Sequence, residues 1–207
     1  MKKYELTAEF IEKWGKKLFR IKALIGFGSV EAGELGGYVE KEDNLAQNGN
    51  AWVFDDAEVY GNARVCGNAE VYDDARVYGN AWVFDDAEVY GNARVYGNAE
   101  VYGNARVCGN AEVYGNARVY DDADYLLIGR IGSRFSFTTF FKNKDKGITV
   151  SCGCFLGTIA EFRAKVTDTH GNNKHAKIYN LAADMAELQI LGEEHFDKLN
   201  TNKSEPF

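Results

Sequence analysis

Alanine stands at every sixth residue from Ala51 to Ala123, and valine at every sixth from Val53 to Val119, with no insertion between them. A period held in phase over so many copies constrains the fold more than composition can, because every unit must repeat one local structure. The unit reads Ala-x-Val-x followed by Gly-Asn or Asp-Asp. Small, polar, aliphatic, aromatic is a two-residue alternation over four positions, which marks a short strand with one face inward. The closing pair marks a corner, since Gly, Asn and Asp tolerate left-handed backbone angles and Asx side chains brace the local chain. One such strand cannot bury its own Ala and Val, so the units must stack their inward side chains into shared columns, as a solenoid does. The rival arrangement, an antiparallel meander of two-residue hairpins, would leave one sheet with a one-sided lining of only Ala and Val.

These repeats resemble the hexapeptide-repeat proteins of the left-handed parallel β-helix type, in which an aliphatic residue follows a small one by two positions. The resemblance implies three hexapeptides per triangular coil and a left-handed winding. The period itself gives no hand, and parallel crossovers are usually right-handed. Residues 51–122, 72 in number, then make four coils of 18, a prism about 20 Å tall at about 4.8 Å per coil. Outward neighbours lie eighteen residues apart. Before each valine this puts Glu58 over Arg76, Glu88 over Arg106, Arg94 over Glu112 and Glu100 over Arg118. Trp82 resets the alternation, so that Glu70 meets Glu88 and Arg76 meets Arg94. After each valine it puts Tyr60, Tyr78, Tyr96 and Tyr114 in one ladder and mixes Phe, Tyr and Cys on the other two sides. Such a ladder either stabilises the strand stack by itself or offers an apolar surface to a protein partner or to self-association as a homotrimer.

The expected fold is mainly β: a left-handed parallel β-helix over 51–124, an N-terminal cap over 1–50 and a small α+β cap over 125–207. A solenoid needs its end covered, because the first coil otherwise exposes its apolar cross-section. In the N-terminal cap a strand-like run with Leu18, Phe19, Ile21 and Leu24 follows a Trp14-Gly15 turn. From Tyr125 the repeat stops. Ser133 to Phe141 alternates like a strand, Lys142 to Lys146 is a polar turn, and Ile148 to Phe155 reads as the return strand. Thr158-Ile-Ala-Glu161 has the form of a capping box opening a helix to about Thr169. Gly171-Asn172-Asn173 breaks it, and a second helix is expected from Lys174 to Leu191 with Ile178, Leu181, Met185 and Leu188 on its apolar face.

Thirteen carboxylates and five arginines lie within 51–122, a balance of −8 where the whole chain carries −7. An acidic prism disfavours direct nucleic-acid binding. The opening Met-Lys-Lys-Tyr-Glu-Leu lacks an apolar signal core and no stretch approaches membrane-spanning length, so we expect a cytoplasmic protein of a bacterial host, with no membrane partner. Four cysteines fit a reducing compartment. Cys66 and Cys108 fall on different faces and cannot bridge, and Cys152 and Cys154 are too close for an unstrained bridge within one strand. Cys-x-Cys with distant histidines is a poor zinc set, so no metal and no cofactor is expected.

Two further sets of motifs flank the repeats. Gly36-Gly37-Tyr38-Val39 and Asn44-Leu45 precede them; Ile131-Gly132-Ser133-Arg134, Ser151-Cys152-Gly153-Cys154-Phe155 and Thr169-His170-Gly171-Asn172-Asn173-Lys174-His175 follow. With these, the chain is similar over nearly its whole length to a group of phage and prophage proteins for which no activity is established. Enzymes on the hexapeptide prism place a general-base histidine beside the coils and interrupt them with a loop. Here His170, His175 and His195 all follow the repeats and no loop interrupts them. We therefore expect a non-catalytic binding or scaffold protein that presents repeated Tyr, Arg and Glu faces. The alternatives are an inhibitor of a host anti-phage system, acting on a host protein or signal molecule or by acidic mimicry, and an acyltransferase-like enzyme. Arg134, Thr138, Cys152, His170, Asn173 and His175 form the densest mixture of anion-binding, titratable and amide groups. They point either to recognition of a small anion or partner tail, or simply to a hairpin with His170 and Asn173 capping helices.

Overall fold

The computed structural model describes residues 2–194. The chain separates into two compact units, one up to Asp122 and one from Ala123.

The first unit is built on twelve two-residue strands, β4 (Trp52–Val53) to β15 (Arg118–Val119), which recur every sixth residue. Each of the first nine pairs in parallel with the strand eighteen residues on: Val59 with Val77, Val77 with Val95 and Val95 with Val113 on one side. This parallel register excludes the hairpin meander and gives a three-sided β-solenoid. The amide of Glu58 donates to Ala75 O at 2.9 Å and that of Tyr60 to Val77 O at 3.0 Å, and the same two-bond step ties every coil to the next. Inside, Val53 through Val119 are buried at every repeat together with the alanines, each valine contributing about 1.5–3 kcal/mol relative to exposure.

The corners behave as their residue types require. Gly61 sits at φ 71° and Asp55 at φ 50°, both in the left-handed region. Asn62, Asn80 and Asn98 continue the stack sideways, each Nδ2 donating to the Oδ1 of the asparagine eighteen residues on, up to Asn116, at 3.1–3.4 Å.

The N-terminal segment covers the first coil. Strands β1 (Tyr4–Lys13) and β2 (Lys16–Ala23) form a hairpin whose turn, Trp14-Gly15, has positive φ at both residues. The residue pattern marks β2 but not β1. Strand β3 (Leu35–Val39) then pairs in parallel with β5 (Glu58–Val59), and Leu45 bridges to Val65. Both steps are twenty residues rather than eighteen, so residues 36–50 form an irregular coil ahead of the four regular ones. Gly36 and Gly37 permit it: a Cβ on either would lie 2.5 Å from a coil carbonyl, Val53 O or Ala57 O. Exposed carbonyls of the first coil find side-chain donors, Lys3 Nζ to Ala51 O (2.8 Å) and Asn44 Nδ2 to Ala63 O (2.8 Å). Trp52 was expected to point into solvent. It is instead fully buried against the edges of Tyr4 and Phe27, because the N-terminal segment wraps the flank of this coil as well as its end.

The second unit is a four-stranded antiparallel meander, β16 (Tyr125–Ile131), β17 (Ser136–Lys142), β18 (Ile148–Cys152) and β19 (Phe155–Thr158), followed by helices α1 (Ile159–His170) and α2 (Lys174–Leu191). Two expectations are corrected. A strand precedes Ser133, and the return strand from Ile148 is broken at Gly153, whose φ of 61° turns β18 back onto β19. The capping box is present as expected: Thr158 Oγ1 accepts from Glu161 N at 3.3 Å and Glu161 Oε2 accepts from Thr158 N at 2.7 Å. Asn173 caps α2, its Oδ1 accepting from His175 N and Ala176 N.

The face of α2 is a third correction. Ala176, Tyr179, Ala182, Ala183, Ala186 and Ile190 are buried in the core with Phe140, Val150, Phe162 and Val166. Leu181, Met185 and Leu188 are 62%, 57% and 46% exposed. Small alanines let the helix approach its neighbours closely, so the stripe of small residues turns inward and the stripe of large ones outward. Arg163 on α1 locks this orientation by reaching Asp184 at 2.8 Å and Glu187 at 2.6 Å.

Candidate functional site

A cavity of about 390 Å³ opens in the second unit between the sheet and α1. The turn after β16 supplies Ser133 and Arg134, the end of β18 supplies Cys152, and the last two turns of α1 supply Lys165, Thr169 and His170. Phe155, Phe162 and Tyr179 add aromatic surface to its wall. Three side chains that carry or can take positive charge, Arg134, Lys165 and His170, thus share one recess with aromatic rings. Among the described residues that line it there is no carboxylate, although the Lys165 ammonium is itself paired with Asp168, Nζ to Oδ2 3.1 Å.

The polar groups behind the wall are linked. Thr138 is buried on β17, and its hydroxyl donates to Cys152 Sγ at 3.2 Å. The Cys152 thiol in turn donates to the Tyr179 hydroxyl at 3.9 Å. Burial first, and then the Cys152 thiol, pushes the Tyr179 phenol up to about 12, so it stays protonated across the physiological range. The His170 ring stacks on Tyr179, with centroids 5.8 Å apart and planes at 29°, and lies 5.8 Å from the ring of His175. His175 Nδ1 is buried and has no hydrogen-bond partner.

Of the six C-terminal residues singled out from sequence, Arg134, Cys152 and His170 therefore line one cavity, Thr138 stands behind it, and Asn173 and His175 hold the start of α2. His195 lies outside the described residues. Lys165 and Tyr179 were missed because they arrive from helix positions with no motif around them. The i, i+4 spacing of Lys165 and Thr169 on α1, one residue short of His170, was the available signal. Among the described residues no three His, Cys, Asp or Glu side chains converge as a metal site would.

The four predicted ladder tyrosines stack in the first unit, with ring centroids 4.9, 4.8 and 4.6 Å apart and planes within 6° of parallel. The ring of Trp14 lies on Tyr60, 5.1 Å away, and extends the stack at its N-terminal end. Parallel stacking commits the faces of Tyr60, Tyr78 and Tyr96 to one another, leaving ring edges and hydroxyls outward. Burial is the leading cause that raises the phenol pKa of Tyr60, to about 12, and those of Tyr78 and Tyr96 above their ordinary value. Of the predicted charge stacks, Arg94–Glu112 closes at 3.1 Å and Arg118–Glu100 at 3.2 Å. Arg106 turns instead to Asp122, and the buried Glu58 pairs with Lys13. Where Glu70 meets Glu88, the Tyr72 hydroxyl donates to Glu88 at 2.8 Å and relieves the like-charge contact.

Residues 69–85 and 87–103 match the family model described as the YdcK Beta solenoid repeat. The matched residues all lie in the coils, so the likeness concerns the repeat and agrees with the stacked parallel register. No curated protein matches the chain. Among the described residues no helix is long and apolar enough to cross a membrane.

Proposed function

We propose that the protein is a non-catalytic binding protein, with the β-solenoid as a rigid scaffold and the cavity of the second unit as the place where an anionic group is recognised. One observation carries this reading: Arg134, Lys165 and His170 line one cavity together with Phe155, Phe162 and Tyr179. Cationic donors fix an anion, and the aromatic wall takes an apolar body attached to it. A carboxylate or phosphate group on a planar or apolar stem fits both features. Binding is favoured over catalysis because both hydrogen bonds at Cys152 Sγ run to hydroxyls, those of Thr138 and Tyr179, and neither is the general base with which a nucleophilic cysteine is paired. The setting we infer is a bacterial cytoplasm. A phage-type protein there would direct the cavity at a host protein or signal molecule, and the outer coil walls at a protein partner.

The test is titration of the isotopically labelled full chain with phenyl phosphate and with benzyl alcohol, followed by nuclear magnetic resonance. Saturable shifts of the His170 ring and of amides near Arg134 are expected with phenyl phosphate alone, and Arg134→Ala with Lys165→Ala should abolish them. Equal binding of the neutral alcohol, or phosphate binding that survives both substitutions, would refute the reading.

A further inference from the structure

Another recess belongs wholly to the first unit. It has a volume of about 370 Å³ and is lined by residues 42–47 of the irregular coil together with Arg64, Cys66 and Trp82 of the regular ones. Its origin is a missing rung in one outward column. Leu45 bridges to Val65, which sets Asn44 opposite Arg64 in the column that continues through Trp82 and Glu100. Asn44 is fully buried instead, its Nδ2 donating inward to Ala63 O at 2.8 Å and Gly61 O at 3.2 Å. The place that an outward side chain would take against Arg64 is thereby left open.

The groups around this opening are unengaged. Arg94, Arg106 and Arg118 each close on a carboxylate. Among the described residues Arg64 has no such partner, and its guanidinium carbon lies 5.9 Å from the centroid of the Trp82 ring. Trp82 is 45% exposed, whereas Trp52, at the same place in its own repeat, is buried against Tyr4 and Phe27. On the other side Lys2 holds Glu42 at 2.7 Å, and the backbone of Lys3 and Tyr4 holds the Gln47 amide. Asp43 is exposed and has no ion-pair partner among the described residues.

One guanidinium, one carboxylate and an open indole thus border a single recess. A simple anion would meet Asp43 there, and a simple cation would meet Arg64. A ligand carrying both charges satisfies each with charge-assisted bonds, which are about twice as strong as neutral ones, and the indole takes its apolar body. Asp43 stands one residue before the position opposite Arg64, so the two charges of the ligand must be close together, as an ammonium and a carboxylate on one carbon are.

We propose that this recess binds a zwitterionic α-amino acid with an apolar side chain, its carboxylate on Arg64, its ammonium on Asp43 and its side chain against Trp82. The site shares no residue with the cavity of the second unit, so either can fail without the other.

The test is titration of the isotopically labelled full chain with L-phenylalanine, 3-phenylpropionate and 2-phenylethylamine, following the Trp82 indole N–H and the amides of Asp43 and Arg64 by nuclear magnetic resonance. Anion binding in the second unit reports at His170 instead, which keeps the two sites apart. L-phenylalanine should give saturable shifts, and each single-charge analogue should bind at least about tenfold more weakly. Asp43→Asn should erase the preference over 3-phenylpropionate, Arg64→Gln that over 2-phenylethylamine, and Trp82→Ala should weaken all three. Circular dichroism should not change, because the three residues are exposed. No shift at Trp82 with millimolar L-phenylalanine, equal binding of the three compounds, or a preference unmoved by the charge substitutions would each overturn the proposal.

Discussion

Trp14 lies on Tyr60, with ring centroids 5.1 Å apart and planes 23° from parallel. The tip of the N-terminal hairpin is thereby the first rung of a five-ring stack that ends at Tyr114. Arg76 over the Trp14 ring, at 5.4 Å, adds a cation–π contact from the second coil. Trp14→Ala should cost about 0.5–1.5 kcal/mol, and the loss should be local. Hydrogen exchange is the measurement: amides of residues 10–12 should lose protection, whereas those of Tyr78 and Tyr96 keep theirs. Equal loss in the coils would mean that the hairpin and the solenoid open as one cooperative piece.

The ladder sets an alkaline limit on stability. Burial raises the phenol pKa of Tyr60 to about 12 and those of Tyr78 and Tyr96 above the ordinary 10. In the folded state these groups hold protons that the unfolded chain releases near pH 10. Their contribution is complete below pH 10 and is lost as pH rises from 10 through about 12. Tyrosinate absorbance should therefore show a late-titrating class that merges with the normal one once the protein is unfolded. A single class near pH 10 in the folded protein would contradict the burial of these rings.

Gly97 holds φ 73° at a corner, and a Cβ there would lie 2.9 Å from Gly115 N in the next coil. Gly97→Ala should destabilise by about 1–3 kcal/mol, from backbone strain together with the clash. Gly97→Asn should cost less, since Asn and Asp accept left-handed angles, as Asp55 does at φ 50°. Thermal melts of the two variants rank them. Alanine equal to or better than asparagine would show that backbone angle is not what selects the corner residue.

Asn173 places two amides of the first turn of α2, accepting from His175 N at 2.8 Å and Ala176 N at 3.1 Å. Asn173→Ala should cost about 1 kcal/mol and loosen the packing of the His175 ring near His170. Asn173→Asp should retain most of the cap. Denaturant melts and the histidine ring resonances report the two effects separately, and an unchanged midpoint in Asn173→Ala would show that the cap contributes nothing.

The coils could be read from the chain because the register of a parallel stack is set by the columns it buries, and Ala51 to Val119 state those columns without interruption. The charge partners eighteen apart followed, although Glu58 and Arg106 found nearer counterions than the coil neighbours assigned to them. Trp52 was misplaced because no local pattern reveals that a distant segment, carrying Tyr4 and Phe27, will cover its wall. The α2 face was misread for a related reason. Hydrophobic spacing identifies two apolar stripes on that helix, and only tertiary packing decides that the small one, Ala176 to Ala186, faces in. At the cavity, Arg134, Cys152 and His170 announced themselves as polar groups in turns and at element ends. Lys165 and Tyr179 did not, because a lysine or tyrosine within an amphipathic helix carries no local mark of what it will face.

The like-charge steps Glu70–Glu88 and Arg76–Arg94 have a simple origin in the order of the coils. Excising the 18 residues Ala75 to Asn92 would join Asp74 to Ala93 in phase. It would then seat Glu58 beneath Arg94, Arg64 beneath Glu100 and Glu70 beneath Arg106, every one an opposite pair. That single turn is a removable module whose presence lengthens the molecule at the expense of its electrostatic alternation, so the solenoid is a ruler graduated in whole turns.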